Sequence, residues 1–428
     1  MMTQKNLNSI TSFLFYLLPA ALVTGPFLSD LIITLMGIFF LFFSIKNKQW
    51  FYYKNIFSKF FFSFYIYLII SSIWADNTIE SLKSSVPYIR FLLFSLAIVY
   101  LSKVNKKIYY SFFKISLLTI SLVIFDALIQ FIFGSNLFGH SIYYLKDSYT
   151  SAITLRTSGI FGDELILGSY LSRLILIIIG LYFFCENKIN NLLFIIFIIA
   201  ALIVIFISGE RLAFFLVLFC FFYLFIQLKN FRKKIIVISL FVFSLIFILV
   251  TMNQGIKNRM VVSTLAFLEN DENSSYTNKE NFMIFSPDHH ELYIAAYKMF
   301  LEKPLLGHGH NMYEENCGKF KRSVSSCSTH PHNTLIQITT ENGVFGLLFL
   351  LLVYTYLIKL FISNIKIYDK NQKNHSYLFQ ICLLSIITAN IFPLVPSGNF
   401  FNNWLSILYY LPIGFYLSIA LVKSSKYE

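Results

Sequence analysis

Histidine is concentrated in the polar stretches that separate the apolar segments of this chain. Seven of the eight histidines fall in stretches that we assign below to one face, and only His375 falls on the other. The seven are His140, His289, His290, His308, His310, His330 and His332. A neutral imidazole can take a proton from a hydroxyl group, so a histidine on that face is a candidate general base. The two H-x-H pairs could suit a metal ion, but no carboxylate or cysteine stands beside them at ligand spacing, and we predict no metal site.

His332 is the strongest of these candidates because of its neighbours. Pro331 disfavours helix at His330, and Asn333 is a good N-cap for the apolar helix that follows. His332 would then lie at the mouth of that helix, where the positive end of the helix dipole disfavours the imidazolium and keeps the ring neutral. The same helix end attracts phosphate, which makes Asn333 a candidate substrate contact. A capping or packing role for His332 is the alternative.

Arginine shows a similar asymmetry. The chain has 27 lysines and seven arginines, and only Arg232 falls in a loop that we predict to be cytoplasmic. Arg90 and Arg173 fall within or at the ends of predicted helices, and the outer arginines are Arg156, Arg211, Arg259 and Arg322. A guanidinium group can hold phosphate through two parallel hydrogen bonds, so these residues predict an anionic substrate. We expect Arg211 to be catalytic and Arg156, Arg90 and Arg173 to bind substrate. The alternative is that they form structural ion pairs with Asp126, Asp163, Glu164 or Glu210.

The composition requires a membrane around these residues. Hydrophobic residues make up 57% of the 428 residues and charged residues 13%, whereas soluble domains carry about 25% charged residues. The net charge of +13 lies in short lysine runs between apolar stretches, which is typical of cytoplasmic loops in membrane proteins. This distribution argues against nucleic-acid binding.

Twelve segments have the length and apolarity of transmembrane helices. They lie near 10–28, 29–45, 56–74, 88–102, 108–133, 165–185, 191–207, 211–228, 234–252, 336–362, 375–394 and 404–422. The fold class that we predict is an all-α membrane protein with about 12 transmembrane helices.

The distribution of basic residues predicts the orientation. The termini and one set of alternate loops carry 19 Lys and Arg, and the short loops opposite carry 4. Both termini are therefore predicted to be cytoplasmic, and the loops at 134–164 and 253–335 to be periplasmic. The chain then divides into helices 1–9 within 1–252, a long periplasmic loop at 253–335, and helices 10–12 within 336–428.

The long loop between helices 9 and 10 contains its own structural signals. Ser286, Pro287 and Asp288 predict a helix start, and apolar residues then recur at helical spacing. These apolar residues are Leu292, Ala295, Ala296, Met299 and Phe300. We expect an amphipathic helix that lies on the bundle or at the outer interface. Cys317 and Cys327 could form a disulfide in an oxidising compartment, or remain two free thiols.

Several motifs resemble those of the O-antigen ligase and polymerase family. The run His330-Pro331-His332-Asn333, followed by Gly343-x-x-Gly346, is similar to the family signature, and Pro304-Leu305-Leu306-Gly307-x-Gly309 is similar to its P-L-L-G-x-G turn. Upstream, Arg156-Thr157-Ser158-Gly159, Asp163-Glu164 with Gly168-Ser169-Tyr170, and Ser208-Gly209-Glu210-Arg211 also resemble family elements. The resemblance covers roughly residues 120–360, and the first hundred residues match only in being transmembrane.

The resemblance implies a membrane glycosyltransferase of the bacterial inner membrane, with its active face toward the periplasm. Such enzymes transfer a glycan from undecaprenyl diphosphate to a sugar hydroxyl by an inverting, metal-independent reaction that uses no cofactor. By position, His332 would be the base, and Arg211 and Arg156 would hold the diphosphate. Where the family often has an arginine in the amphipathic helix, this chain has His289 or His290, beside Glu291.

Three functional hypotheses remain open at this stage. A ligase would use lipid A–core as its acceptor, and a polymerase would use a second lipid-linked glycan. A flippase or transporter of lipid-linked oligosaccharides is the alternative, although transporters carry charge near the bilayer midplane and often show repeats. A non-catalytic assembly partner is the third hypothesis.

Overall fold

The computed structural model of the chain describes residues 4–147, 150–185, 189–266, 286–321, 326–371 and 374–424. The described part is mostly helical. Its α-helices are α1 (Gln4–Ala21), α2 (Pro26–Lys46), α3 (Ile56–Ile73), α4 (Thr78–Ser85), α5 (Ile89–Val104), α6 (Ile108–Phe133), α7 (Leu167–Phe184), α8 (Asn191–Ile207), α9 (Arg211–Gln227), α10 (Arg232–Met252), α11 (Gln254–Lys257), α12 (Ser263–Leu265), α13 (Pro287–Glu302), α14 (Tyr313–Cys317), α15 (Thr334–Asn371), α16 (His375–Asn390) and α17 (Asn403–Ser424).

Each of the twelve predicted spans corresponds to one of these helices. Within the described residues, eight helices are long and apolar enough to cross a membrane, and α8 and α9 are apolar but shorter. The eight are Pro26–Lys46, Ile56–Ile73, Thr78–Val104, Ile108–Phe133, Leu167–Phe184, Lys229–Met252, Thr334–Lys366 and Asn403–Leu421. A multi-pass helical membrane protein is therefore confirmed, and the total of twelve crossings and their orientation stay predictions.

The segment between α6 and α7 departs from the all-α prediction. Strands β1 (Tyr143–Lys146) and β2 (Ile153–Arg156) form an antiparallel hairpin in which Tyr143 is opposite Arg156. The sequence has the matching signal, since aromatic and β-branched residues flank a polar turn. The hairpin brings Arg156 to the same side of the bundle as the 208–210 turn, α13 and the start of α15. We call this side the loop face.

The long loop is joined to α15 by close backbone contacts. The backbone of α15 departs from helical geometry at Gly343, where φ is +62°. A Cβ atom at Gly343 would lie 2.2 Å from the carbonyl oxygen of Leu305, and one at Gly307 would lie 2.4 Å from the backbone of Glu341. The Glu341 carboxylate accepts hydrogen bonds from the backbone N–H of Asn311 (3.0 Å). The two glycines therefore allow the 304–309 turn to lie directly against the break in α15.

Helix α13 agrees with the predicted amphipathic helix. The Ser286 side chain accepts a hydrogen bond from the N–H of His289, as expected for an N-cap. The predicted apolar positions face inward, with Leu292, Ala295, Ala296 and Met299 all buried. This face packs against Tyr313, Cys317 and Ile336, so α13 covers the N-terminal end of α15.

Candidate functional site

The segment from His330 to Thr334 enters α15 through a strained residue. Asn333 caps the helix, because its side-chain oxygen accepts from the N–H of Ile336 at 3.1 Å. His332 has φ +53°, in the left-handed region. A residue with a Cβ atom pays about 1–2 kcal/mol for this conformation. Strained backbone of this kind clusters at functional sites, which makes His332 a candidate.

Three histidine side chains meet at this point, and we call them the histidine cluster: His289, His330 and His332. The ring centroids of His330 and His332 are 4.0 Å apart, and those of His289 and His332 are 5.6 Å apart. The residue of α13 that reaches His332 is thus His289. Of the two positions that the resemblance left open, His289 makes the ring contact with the candidate base, and the predicted substrate contact of His290 stays a prediction.

The environment keeps these rings uncharged. Burial lowers the pKa of His332 from its ordinary value of 6.5. Burial, together with the nearby His332, lowers the pKa of His289 to about 4, and the charge of Arg211 adds to the effect. The lowered pKa agrees with the expected neutral ring of His332, although burial rather than the helix dipole is the main cause.

Three arginine side chains form a second group, the arginine cluster: Arg156, Arg211 and Arg259. It is built around Gly209, which has φ +70° in the turn between α8 and α9. A Cβ atom at Gly209 would lie 2.9 Å from Cγ of Arg156 and 3.2 Å from Cγ of Arg259. The aliphatic parts of both arginines therefore pack across this glycine.

Backbone carbonyl groups orient the guanidinium groups. Arg211 donates through Nε and Nη2 to the carbonyl oxygen of Arg259 (3.1 and 3.0 Å). Arg259 donates to that of Gly209 (3.0 Å), and Arg156 donates to those of Ser208 and Leu165. Burial and the charge of Arg259 lower the pKa of Arg156 to about 10. Positive charges this close repel one another, and a bound anion would reduce the repulsion.

The carboxylates that could have paired with these arginines have other hydrogen-bond partners. Glu210 accepts from the backbone N–H groups of Gly168 (2.6 Å) and Ser169 (3.1 Å) at the start of α7, where a negative charge is favourable. Asp126 accepts from Asn136 and from the N–H of Leu137. Glu210 still acts electrostatically on Arg156 and Arg259, and Asp147 acts on Arg211 and Arg259. Anion binding and structural ion pairs therefore both stay open for these arginines.

Arg90 and Arg173 lie apart from the two clusters. Arg90 donates to Asp30 (2.9 Å), to the carbonyl of Pro87 and to Asn403, which gives it a structural role. Arg173 is buried within the bundle, donates to the carbonyl of Ser169 and lies 5.9 Å from the ring of Tyr409. Both residues were predicted to bind substrate, and the structure places neither of them in the two clusters.

Four further predicted residues support the loop around the site. Glu291 accepts from the hydroxyl of Ser326 (2.9 Å). A disulfide joins Cys317 to Cys327, with Cα atoms 5.3 Å apart. Asn333 donates to the carbonyls of Pro393 (2.9 Å) and Val395 (3.1 Å), so its amide positions the segment.

Sequence reasoning gave too little weight to two parts of the site. Arg259 has no predicted role, because its only signal is an arginine in a loop that is predicted to be periplasmic. Arg322, the other outer arginine without a predicted role, lies outside the described residues. The connection 391–402 carries no titratable residue and gave no signal, although it contacts the histidine segment. Among the residues that the structure describes, no group of three His, Cys, Asp or Glu side chains is arranged to hold a metal ion.

Comparisons with known proteins agree with the resemblance. A model of the family described as O-antigen ligase matches residues 195–351, which contain Arg211, Arg259, His289 and His332. A protein of Rickettsia conorii named "Putative polysaccharide ligase" is 35% identical over 127 residues, covering 26% of this chain and 29% of the relative. One of Rickettsia typhi with the same description is 44% identical over 63 residues, covering 14% and 15%. The chain thus matches less than a third of the length of these curated relatives. The resemblance to O-antigen ligases is confirmed.

Proposed function

We propose that this chain, a member of the O-antigen ligase family through residues 195–351, transfers a glycan from undecaprenyl diphosphate to a sugar hydroxyl. The reaction takes place at the periplasmic face of the bacterial inner membrane, as a step in the synthesis of surface polysaccharide. The acceptor is lipid A–core in a ligase, or a second lipid-linked glycan in a polymerase. We favour the ligase, in agreement with the names of the relatives.

One observation carries this proposal: an uncharged histidine cluster and a cluster of cations lie on the same loop face, within electrostatic range of each other. The link between the clusters is Arg211, which is close enough to His289 to lower its pKa. His289 in turn lies against His332. A group transfer with an anionic leaving group needs both a base and positive charge within one site.

The proposed chemistry follows from these two clusters. The acceptor hydroxyl gives its proton to a ring nitrogen of His332 while its oxygen forms a bond to the anomeric carbon of the donor. The bond from that carbon to the diphosphate oxygen breaks on the opposite side, which inverts the configuration. The diphosphate leaves with the electron pair, and the arginine cluster stabilises its charge. The guanidinium groups supply positive charge at the leaving group, so the proposed step uses no metal ion.

His332 suits the role of base better than the adjacent histidine. Both ring nitrogens of His330 already have hydrogen-bond partners. Nδ1 lies 3.0 Å from the hydroxyl of Thr329, and Nε2 lies 3.2 Å from the carbonyl oxygen of Ser397. The ring of His332 has no such contact among the described residues and is only half-buried. It is therefore available to a hydroxyl that approaches from the loop face.

A reconstitution tests the proposed function. Purified full-length chain receives an undecaprenyl-diphosphate glycan with either lipid A–core or a second lipid-linked glycan, without added metal. Glycan joined to the core establishes a ligase, and chain growth on the lipid carrier establishes a polymerase. Movement of the lipid-linked glycan across the bilayer without transfer to either acceptor would support the flippase alternative and contradict the proposal. The matched control is the His332→Gln variant at the same membrane level.

A further inference from the structure

The connection between α16 and α17, residues 391–402, makes an unusual set of contacts with the histidine segment. Ser397 uses all three of its polar groups. Its N–H donates to the carbonyl oxygen of His332 (2.7 Å), its carbonyl lies 3.2 Å from Nε2 of His330, and its hydroxyl lies 2.9 Å from that of Thr334. One residue of this loop therefore contacts positions before, at and after the strained histidine.

The rest of the loop extends the same contact. Asn333 donates to two of its carbonyls, as described above. Deeper in α15, the side chain of Gln337 accepts from the N–H of Phe400 (2.9 Å) and donates to Asn399 (2.8 Å). The loop is thus hydrogen-bonded to α15 over its first turn, and no residue in it is titratable.

These contacts fix the tautomer of His330. A carbonyl oxygen can only accept, so Nε2 of His330 carries the proton that is donated to Ser397. In the neutral ring, Nδ1 then accepts from the hydroxyl of Thr329. With both nitrogens used, His330 is a support for the ring of His332, which lies against it at 4.0 Å.

We infer that Ser397 is a positioning residue for the base. The 391–402 loop holds the backbone of His332 in its left-handed conformation and, through His330, directs the His332 ring toward His289. Ser397 itself does not touch substrate. This inference rests on the proposed transferase function, because only a reaction that uses His332 makes its position important.

Two substitutions of Ser397 separate its backbone from its side chain. Ser397→Pro removes the N–H that bonds to His332. We expect kcat to fall by roughly 10²-fold, because small displacements of a catalytic group are costly. The donor KM should stay within about threefold, since the arginine cluster is unchanged. Ser397→Ala keeps the amide and the carbonyl and should retain kcat near the wild-type value.

A second pair of variants at His330 keeps the test decisive if Ser397→Pro fails to reach the membrane. His330→Gln still offers an N–H to the Ser397 carbonyl, and His330→Leu does not. A positioning role predicts that His330→Gln retains most of kcat and that His330→Leu loses it. Equal and complete loss in both variants would make His330 a base in its own right and overturn the assignment.

Hydrogen exchange measures the contact without reference to activity. In the wild-type chain, the amides of Ser397 and Phe400 should be protected, and His330→Leu should speed their exchange while His330→Gln does not. If the amides are protected but the chain transfers no glycan, the proposed function is contradicted while the contact between the loop and the histidine segment is still supported. Unprotected amides in the wild type, or wild-type kcat in a folded Ser397→Pro variant, would overturn the positioning role.

Discussion

The two clusters of the loop face hold their side chains in opposite ways. In the arginine cluster, long flexible side chains cross Gly209 and donate to carbonyl oxygens of neighbouring turns. In the histidine cluster, a short side chain is positioned by its backbone, which adopts φ +53° and bonds to another loop. Charge acts over several ångströms and tolerates small displacements, whereas proton transfer requires contact. The strained backbone therefore lies at the position where geometry matters most.

The largest effect that we expect is at the base. His332→Gln keeps the size and polarity of the side chain and removes the proton acceptor. Glycan transfer should fall by roughly 10²–10⁴-fold, as is usual when a general base is lost. The measurement is the initial rate of transfer in the reconstituted system at equal protein level. Full activity of this variant would remove His332 from the mechanism.

The next prediction tests whether the arginine cluster binds an anion through paired hydrogen bonds or only through its positive charge. Arg211→Lys keeps the charge and loses the paired donors, so kcat/KM should fall by roughly 10–100-fold. Arg232→Lys is the control, because Arg232 donates to the carbonyls of Phe225 and Ile226 at the end of α9, the opposite end of that helix from Arg211. If Arg211→Lys were as active as the wild type, electrostatic attraction alone would be enough.

A smaller effect is expected from the glycine beneath the arginines. Gly209→Ala places a Cβ atom 2.9 Å from Cγ of Arg156 and at a left-handed φ. The strain should cost about 1–2 kcal/mol of stability, and the displaced arginines should raise the donor KM with less change in kcat. Gly318→Ala is the matched control, because a Cβ atom there meets nothing within 4 Å. An unchanged donor KM for Gly209→Ala would contradict this prediction, because the side chains of the arginines would then tolerate the added methyl group without loss of donor binding.

The contrast between the clusters also explains what the sequence could predict. Apolar length is a local property, so every one of the twelve predicted spans became a helix. The N-caps at Ser286 and Asn333 are local signals too, and both are confirmed. The partners of the arginines were not local: Arg259 joins Arg156 only because two distant segments meet over Gly209.

The histidine cluster was predictable in part for the same reason. The run from His330 to Asn333 predicted a base at the helix mouth, and the resemblance to the family left two choices on α13. The structure shows a ring contact between His289 and His332, and a role of His290 in the site stays a prediction. The left-handed backbone at His332 and its bond to Ser397 depend on a loop far along the chain, and no pattern near either residue indicates them.

The pH dependence of transfer should separate a buried base from an exposed one. His332 acts in its neutral form, and burial lowers its pKa below 6.5. Activity should therefore persist as the pH falls through 6.5, and decline only at lower pH, where the ring takes up a proton. The pH profile of kcat measures this, with donor and acceptor saturating. An acidic decline centred above pH 6.5 would contradict a buried, neutral base.

The smallest expected effect concerns the cost of holding His332 in its backbone conformation. His332→Ala keeps the Cβ strain, and His332→Gly removes it. The relief of about 1–2 kcal/mol is partly offset by the greater freedom of glycine in the unfolded chain, about 0.4–1 kcal/mol. His332→Gly should therefore be at least as stable as His332→Ala in thermal unfolding, although both are inactive. At His330, which has no positive φ, the order should reverse, and His330→Gly should be less stable than His330→Ala. The same order at both positions would mean that the left-handed backbone of His332 carries no measurable strain, and the comparison between the two clusters would lose its physical basis.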